Sequence, residues 1–309
     1  MNSSFVHEAL FYRDADEYLT GTVPFIDSAL TAGEPVLVAV PGARIELLRA
    51  ALGSQAGGVR FQDMTVAGRN PGKIIPYVLY AFVEEHAGQP VRIIGEPVWA
   101  GRSWDEYPAC VQHEALTNVA FADRVASIRC PYDVRALAPD AVHDATRTHP
   151  MLVDAEACKE SPCYTDPDDV VAVFNQPLPQ PAEDAAALDF DASALSAVRA
   201  FLATHAQRIG LPRRRLSDLQ LAANELATNA ITHGGGGGQV SLWRTARQVI
   251  CEVRDRGRAR GRLVGLVPPV PDNLGGRGLV LVNYLSDLVR VHTTPDGTAV
   301  RLYLDVQNS

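Results

Sequence analysis

The sequence has no apolar run near the roughly eighteen residues a helix needs to cross a bilayer, so no membrane span is expected. The opening Met1-Asn2-Ser3-Ser4 brings neither a basic stretch nor an apolar core, so no secretory signal is expected there. Cysteine is scarce: five residues, an odd number and widely scattered. That usage points to reduced thiols in a reducing compartment rather than to a disulfide framework. Positive charge is also short, with Lys and Arg at 28 against 36 Asp and Glu, a net charge of −8. General nucleic-acid binding needs a basic face, so none is expected. The one tight basic run, Arg213-Arg214-Arg215, reads as a solvated helix start. These absences lead to a cytoplasmic protein with no direct nucleic-acid or membrane partner.

What is present is ordinary globular composition, 47% hydrophobic and 21% charged over 309 residues, a length that suggests two domains. The first half alternates strands and helices. Val36–Val40 reads as a buried strand followed by Pro41-Gly42 and a helical run to Leu52. Residues 74–85 are amphipathic, with Ile75, Val78, Leu79, Phe82 and Val83 on one side. Val91–Gly95 is a further strand, Tyr107–Phe121 a helix and Ala126–Arg129 another strand. Such alternation implies an α/β unit with parallel strands covered by helices. Between Ala155 and Ala187 the composition shifts to Pro, Asp, Glu and Gln, including Pro177-Leu178-Pro179-Gln180-Pro181. This reads as a semi-rigid linker or an arm packed across a domain surface. The expected domains are therefore 1–155 and 187–309, joined by 156–186.

Three elements near the C-terminus carry chemistry. In Glu225-Leu226-Ala227-Thr228-Asn229-Ala230, helical spacing puts Glu225 and Asn229 on one face, where a carboxylate and a carboxamide could hold Mg²⁺ and a neighbouring hydroxyl. Asp255-Arg256-Gly257 ends an alternating apolar run, Val249–Arg254, so Asp255 stands where a strand gives way to a loop and could accept from an exocyclic amine. Gly257 would let the backbone pass close to a ring. Gly275-Gly276-Arg277-Gly278-Leu279 opens an apolar helix, where backbone N–H groups can converge on an anion.

In this order and spacing, residues 185–306 resemble the ATP-binding domain shared by gyrase, Hsp90, histidine kinases and MutL, most of all its branch of anti-sigma-factor serine kinases. The resemblance implies an α+β Bergerat (GHKL) sandwich that binds ATP and Mg²⁺. Glu225, Asn229 and Ala230 match its N box. Asp255 and Gly257 match its adenine-binding Asp-x-Gly-x-Gly, where Ala259 replaces the second glycine. Gly276, Gly278 and Leu279 match its phosphate-side motif, and Asp287 its downstream Asp. Glu225 is then the catalytic base or orienter, Asn229 the Mg²⁺ ligand, and Asp255, Gly257, Gly276, Gly278 and Leu279 the remaining nucleotide-binding residues. The lid between Arg258 and Leu274 should be short and stiffened by Pro268, Pro269 and Pro271. In the stretch Asp191–Gln207 before the N box the one histidine is His205; with no adjacent acidic residue, it reads as a surface residue rather than a phosphoacceptor. No transducer domain follows residue 306, which favours a switch acting on a partner protein.

Two near-misses for a phosphate loop stand in the first half. In Gly68-Arg69-Asn70-Pro71-Gly72-Lys73-Ile74 the glycine gap is one residue short and Ile74 replaces the Ser/Thr; Pro41-Gly42-Ala43-Arg44 has no lysine. The half instead resembles the MEDS sensory domain, a degenerate relative of the RecA/KaiC fold. The stretches carrying the likeness are His7–Tyr12, Gly95–Trp99, Glu106-Tyr107, His113–Leu116 with Asn118, and Cys130–Asp133. A sensor pocket would lie at the carboxyl ends of the strands, so Glu96, Trp99 and Trp104 are its candidates. Cys110 and His113, three apart on a helix, could be two metal ligands but read better as packing residues, with Glu114 pointing elsewhere. Cys158 and Cys163 could form a redox-sensitive disulfide, a pairing that a reducing compartment disfavours.

The two resemblances imply a regulator in which a sensor controls a serine kinase that binds a sigma factor and phosphorylates a small antagonist of STAS type. Homodimerisation is common in that branch, though no feature here requires it. The alternatives are an ATP-gated binding module without kinase activity, consistent with Ala259, and a sensor kinase acting on a response regulator.

Overall fold

Val36-Leu37-Val38-Ala39-Val40 is apolar throughout because both faces of its strand are covered, and all five residues are buried. The computed structural model describes residues 5–154, 157–257, 263–267 and 277–306. They fall into two units, Met1–Phe174 and Asn175–Ser309.

The first unit runs β1 (Val6–Tyr12), α1 (Ala15–Ala32), β2 (Val36–Val40), α2 (Gly42–Leu52), β3 (Val59–Asp63), α3 (Met64–Ala67), α4 (Tyr80–Glu85), β4 (Val91–Gly95), α5 (Tyr107–Ala120), β5 (Ala126–Asp133), α6 (Pro139–Thr148), β6 (Met151–Val153), β7 (Cys158–Glu160) and α7 (Pro167–Phe174). The sheet order is β3-β2-β4-β5-β1-β6-β7. Every neighbouring pair is parallel except β6–β7. Tyr12, Val40, Gly95 and Asp133 therefore all end their strands on one edge, where such sheets place their crevices. The apolar face expected over residues 74–85 forms as a wide π-type turn, Ile74–Leu79, leading into α4, with Ile75, Val78, Leu79, Phe82 and Val83 buried.

The stretch expected as a linker is divided between the units. Cys158–Glu160 adds a strand to the first sheet. In α7, Val170 and Phe174, four apart, bury against Val111 and Ala115 of α5, and Asp168 and Asp169 suit the positive end of the helix. The Pro- and Asp-rich composition hid this helix. Residues 175–185 are the arm that was the second reading: Asn175 bonds Thr293 in both directions, at 2.7 and 3.0 Å, and Arg301 donates to the Pro179 carbonyl at 2.5 Å.

The second unit runs β8 (Ala186–Asp191), α8 (Leu195–Arg208), α9 (Arg213–His233), β9 (Gly237–Arg244), β10 (Gln248–Asp255), α10 (Arg277–Leu285), β11 (Leu288–Thr294) and β12 (Gly297–Asp305). Its sheet is antiparallel throughout, in the order β11-β12-β10-β9-β8. Val249, Cys251 and Val253 alternate onto the helix-covered face. There they meet the α9 stripe Leu219, Ala223, Leu226, Ala227 and Ala230, whose spacing of three and four is that of one helix face. Each fully buried Leu or Val contributes about 1.5–3 kcal/mol, so this stripe fixes the rotation of α9. On the other face Glu252, at 1% exposure, accepts from Arg301 at 2.6 and 2.8 Å.

Candidate functional site

With Leu226, Ala227 and Ala230 turned to the core, Glu225 and Asn229 fall at the border of the stripe, both half-buried. The first turn of α10 closes on them. A Cβ on Gly278 would stand 2.7 Å from Glu225 Oε2 and 3.5 Å from Asn229 Nδ2. A side chain at Gly278 would displace the Glu225 carboxylate from this position, and the positive end of that helix faces it.

One turn further along, α9 ends at His233 beneath the end of β10. Gly257 N–H donates to Asp255 Oδ1 at 2.7 Å, and Arg256 N–H donates to the Gly234 carbonyl at 3.1 Å. A Cβ on Gly234 would meet Asp255 Cγ at 2.6 Å, and one on Gly257 would meet the His233 carbonyl at 2.5 Å. Thr298 from β12 donates to the Gly257 carbonyl at 2.7 Å. Burial raises the Asp255 carboxyl above its ordinary range, while the Gly257 N–H works against that. The connection out of α9 needs glycine at Gly235 and Gly236, where φ is 91° and 95°.

In the first unit Glu96 follows β4 at the carboxyl edge, 4% exposed, its Oε2 without a hydrogen-bond partner. Around that edge stand Tyr12, Tyr18, Arg44 and Asp133. Arg44 donates to the Tyr12 hydroxyl at 2.9 Å and to Asp133 at 3.3 Å, and its guanidinium lies 5.0 and 4.9 Å from the Tyr12 and Tyr18 ring centres. Burial pushes the Glu96 carboxyl up to about 8, against the pull of Arg44, and burial with Glu96 nearby also raises both tyrosine hydroxyls. The two tryptophans do not join it. Trp99 packs under the Arg102 guanidinium, 3.8 Å from its ring centre, and Trp104 is 81% exposed beside Tyr107. Trp99 and Trp104 lie five and ten residues beyond Ile94, on the loop that leaves the crevice. Arg102 also donates to the Gly68 and Arg69 carbonyls, both at 2.6 Å, so the glycine-bearing loop at 68–74 is pinned by its backbone.

Residues 6–150 match the family model MEDS, the methanogen/methylotroph, DcmR sensory domain. Residues 188–304 match the model of the histidine kinase-like ATPase domain. The chain joins a MEDS sensory domain to a histidine kinase-like ATPase domain. Among curated proteins nothing matches it. Similar solved structures include the RsbU and RsbW domains of Rv1364c from Mycobacterium tuberculosis, 22% identical over 42% of this chain and 34% of that one, with a TM-score of 0.32. The Acinetobacter baumannii histidine kinase AdeS is 16% identical over 40% of this chain and 68% of that one, with a TM-score of 0.25. The match thus spans about a third of the first structure's length.

Within the ATPase domain, not every expected residue lines the cleft. Leu279 packs against the core cluster, and a Cβ on Gly265 would meet its Cβ at 2.6 Å. Asp287 is taken up in holding the fold: its Oδ2 accepts from Arg215 at 2.7 Å and from the Asp305 N–H at 2.8 Å. Arg215, at the helix start read as solvated, is thereby tied to Asp287 and to Asp218. Of the expected lid only Leu263–Val267 is described, with the Gly265 carbonyl accepting from Asn283 at 3.1 Å. Gly276 and Ala259 lie outside the described residues. In the first unit, beyond the MEDS match, Cys158 and Cys163 are exposed free thiols.

Proposed function

We propose that the chain is a regulator whose ATPase domain holds ATP with Mg²⁺ and either phosphorylates a serine on a small STAS-type antagonist or binds a sigma factor, under the control of the MEDS domain. The reading is carried by the meeting of Glu225, Asn229 and Gly278 one helical turn from Asp255 and Gly257. The residues fit the nucleotide. Gly234 and Gly257 leave backbone where a Cβ could not stand, Gly278 brings the α10 backbone against Glu225, and Asp255 has one oxygen held by Gly257.

ATP supplies the transferable phosphoryl group, and Mg²⁺ the charge that offsets its phosphates. Asp255 accepts a hydrogen bond from an exocyclic amine, and Gly257 leaves room for the ring beside it. Asn229 offers its carboxamide oxygen to Mg²⁺. The α10 start at Gly278, with Gly276 before it and Leu279 anchoring it to the core, presents N–H groups to an anion. Glu225 accepts the proton of the attacking serine hydroxyl at its carboxylate. Phosphoryl transfer needs mainly alignment and charge neutralisation, so this set suffices.

The first unit is, in this reading, a degenerate RecA/KaiC-type fold that has given up nucleotide. Its β1–α1 turn, where a phosphate loop would stand, is Arg13-Asp14. Asp14 caps the helix by accepting from Glu17 N–H at 3.1 Å, and Asp16 and Glu17 add negative charge to the first turn. A phosphate meets an unfavourable field there.

Immobilising the chain and washing native extract over it with Mg·ATP or Mg·ADP tests the proposal. A sigma factor or STAS-type protein retained differently in the two nucleotides, and acquiring acid-stable phosphoserine, is the expected result. Retention that follows nucleotide without phosphorylation would establish the second reading, an ATP-gated binding module, which Ala259 in place of the motif's second glycine favours. Nucleotide bound with neither protein retained would overturn both partners.

A further inference from the structure

Four side chains from four separate elements of the MEDS domain converge in its interior. His7 comes from β1, Glu114 from α5, Cys130 from β5 and His149 from the residue after α6. All four are buried, at 2%, 1%, 2% and 0% exposure, and one ligand atom from each lies within 4.8 Å of all the others. His7 Nε2 is 3.4 Å from Glu114 Oε2 and 3.5 Å from Cys130 Sγ. Glu114 Oε2 is 3.7 Å from both Cys130 Sγ and His149 Nε2.

The hydrogen bonds behind these atoms fix what faces inward. Asn118 Nδ2 donates to the Thr148, Ala115 and Glu114 carbonyls at 2.7, 3.2 and 3.3 Å, so its Oδ1 is the atom 3.0 Å from His7 Nδ1. That ring nitrogen is therefore the donor, and Nε2 turns a lone pair to the centre. His149 does the same: Nδ1 donates to the Ala145 carbonyl at 2.9 Å, and its buried Nε2 has no hydrogen-bond partner. Glu114 Oε1 accepts from the Tyr132 hydroxyl at 2.7 Å, leaving Oε2 for the centre. Two imidazole lone pairs and a carboxylate oxygen thus face one another in the interior with only the Cys130 thiol, donating to Glu114 Oε2, among them, an arrangement that favours a cation.

We propose that His7, Glu114, Cys130 and His149 form a four-ligand site for a divalent transition metal of the Zn²⁺ class. The edges of a tetrahedron built on Zn–N, Zn–O and Zn–S bonds of about 2.0–2.3 Å are roughly 3.3–3.7 Å, and the four separations above fall on them. They are too long for charge-assisted hydrogen bonds, which run to about 2.7–2.9 Å. Imidazole with thiolate selects Zn²⁺ over Mg²⁺ or Ca²⁺, and Asn118, the Ala145 carbonyl and Tyr132 are the orienting partners such ligands carry. On binding, the Cys130 thiol gives its proton to solvent and its sulfur becomes the thiolate ligand. A cavity with room for about one water, lined by His7, Glu114 and Cys130 with His113, Gly95 and Pro97, adjoins the cluster.

The test uses the full chain, stripped with a chelator, without nucleotide, and titrated with Zn²⁺ and with Co²⁺. One equivalent should bind, and the Co²⁺ form should show sulfur-to-metal charge-transfer absorption. Cys130→Ser should abolish that band, and His149→Gln should weaken Zn²⁺ binding by more than the roughly tenfold that loss of an orienting partner alone produces. Asn118→Ala, which removes no ligand, should weaken it by about tenfold and keeps the test open if a ligand variant does not fold. The Cys158→Ser/Cys163→Ser double variant should bind as the natural chain does. No binding, a Co²⁺ spectrum without the sulfur band, or binding that follows Cys158 and Cys163 would overturn the proposal.

Discussion

In the MEDS domain Glu114 sits at 1% exposure among two histidines and a cysteine, whereas in the ATPase domain Glu225 stands half-buried at the rim of its helix, against the backbone of Gly278. The first carboxylate is enclosed in the interior of its domain. Its three neighbours come from three other elements, and both histidines and Glu114 itself are oriented by hydrogen bonds behind them. The second shares one helix with its partner Asn229, and the backbone of Gly278 lies against both. Buried polar clusters stay put because moving any member leaves an unpaired group in low dielectric. A rim site on glycine-lined backbone can admit and release a ligand that is itself large and charged. The difference suits a fixed reporter in one domain and a turnover site in the other.

The sharpest way to break this contrast is Glu225→Ala. If Glu225 handles the hydroxyl proton, transfer to the antagonist should fall by roughly 10²–10⁴-fold while ATP affinity holds, checked by phosphoserine yield beside calorimetric titration. Unchanged transfer removes Glu225 from the chemistry. Next is Asp255→Ala, which deletes the acceptor for the exocyclic amine and should cost about 1–3 kcal/mol of ATP binding, with GTP binding altered less. Equal losses for both nucleotides would make Asp255 a support of the Gly257 turn alone.

A smaller effect sharpens the other side. Burial holds Glu96 at about 8 against an ordinary value of 4.5, so the folded state keeps a proton that the unfolded chain releases. The natural chain should therefore lose stability relative to Glu96→Gln as pH rises from about 4.5 to about 8, by on the order of 1 kcal/mol per pH unit, and no further above that. Thermal melts of both proteins across pH 4–9 check it; parallel curves would mean that Glu96 is solvated. The smallest effect is expected at Trp104. At 81% exposure its replacement by Ala should move stability by under about 0.5 kcal/mol, and a larger loss in the same melts would give the exposed ring a packing role.

How far each site was legible follows from the same contrast. Glu225 and Asn229 could be paired from their spacing alone, because one helix carries both, and the alternation of Val249–Arg254 placed Asp255 at a strand end. The α+β sandwich of the second unit was implied by the family resemblance, whereas the parallel α/β sheet was readable from the alternation of strands and helices. The His7–Glu114–Cys130–His149 cluster was not, since its members lie far apart in the chain and only the β5-β1-β6 order brings them together. Local spacing pointed instead to Cys110 with His113 and set Glu114 aside, yet Glu114 is the residue that faces the cluster. His7, Glu114 and Cys130 did stand in the stretches that carried the MEDS likeness; His149 gave no signal. Trp99 and Trp104 follow Glu96 along the loop, yet Trp99 packs against Arg102 and Trp104 stands exposed beside Tyr107.

The most direct test is ATP binding to the full chain, measured calorimetrically with and without Mg²⁺, in the natural protein and in Asn229→Ala. Binding that Mg²⁺ strengthens in the natural chain, and that loses this strengthening in the variant, is the predicted result. Binding indifferent to Mg²⁺ in both, or no binding at all, would contradict the account of the second domain.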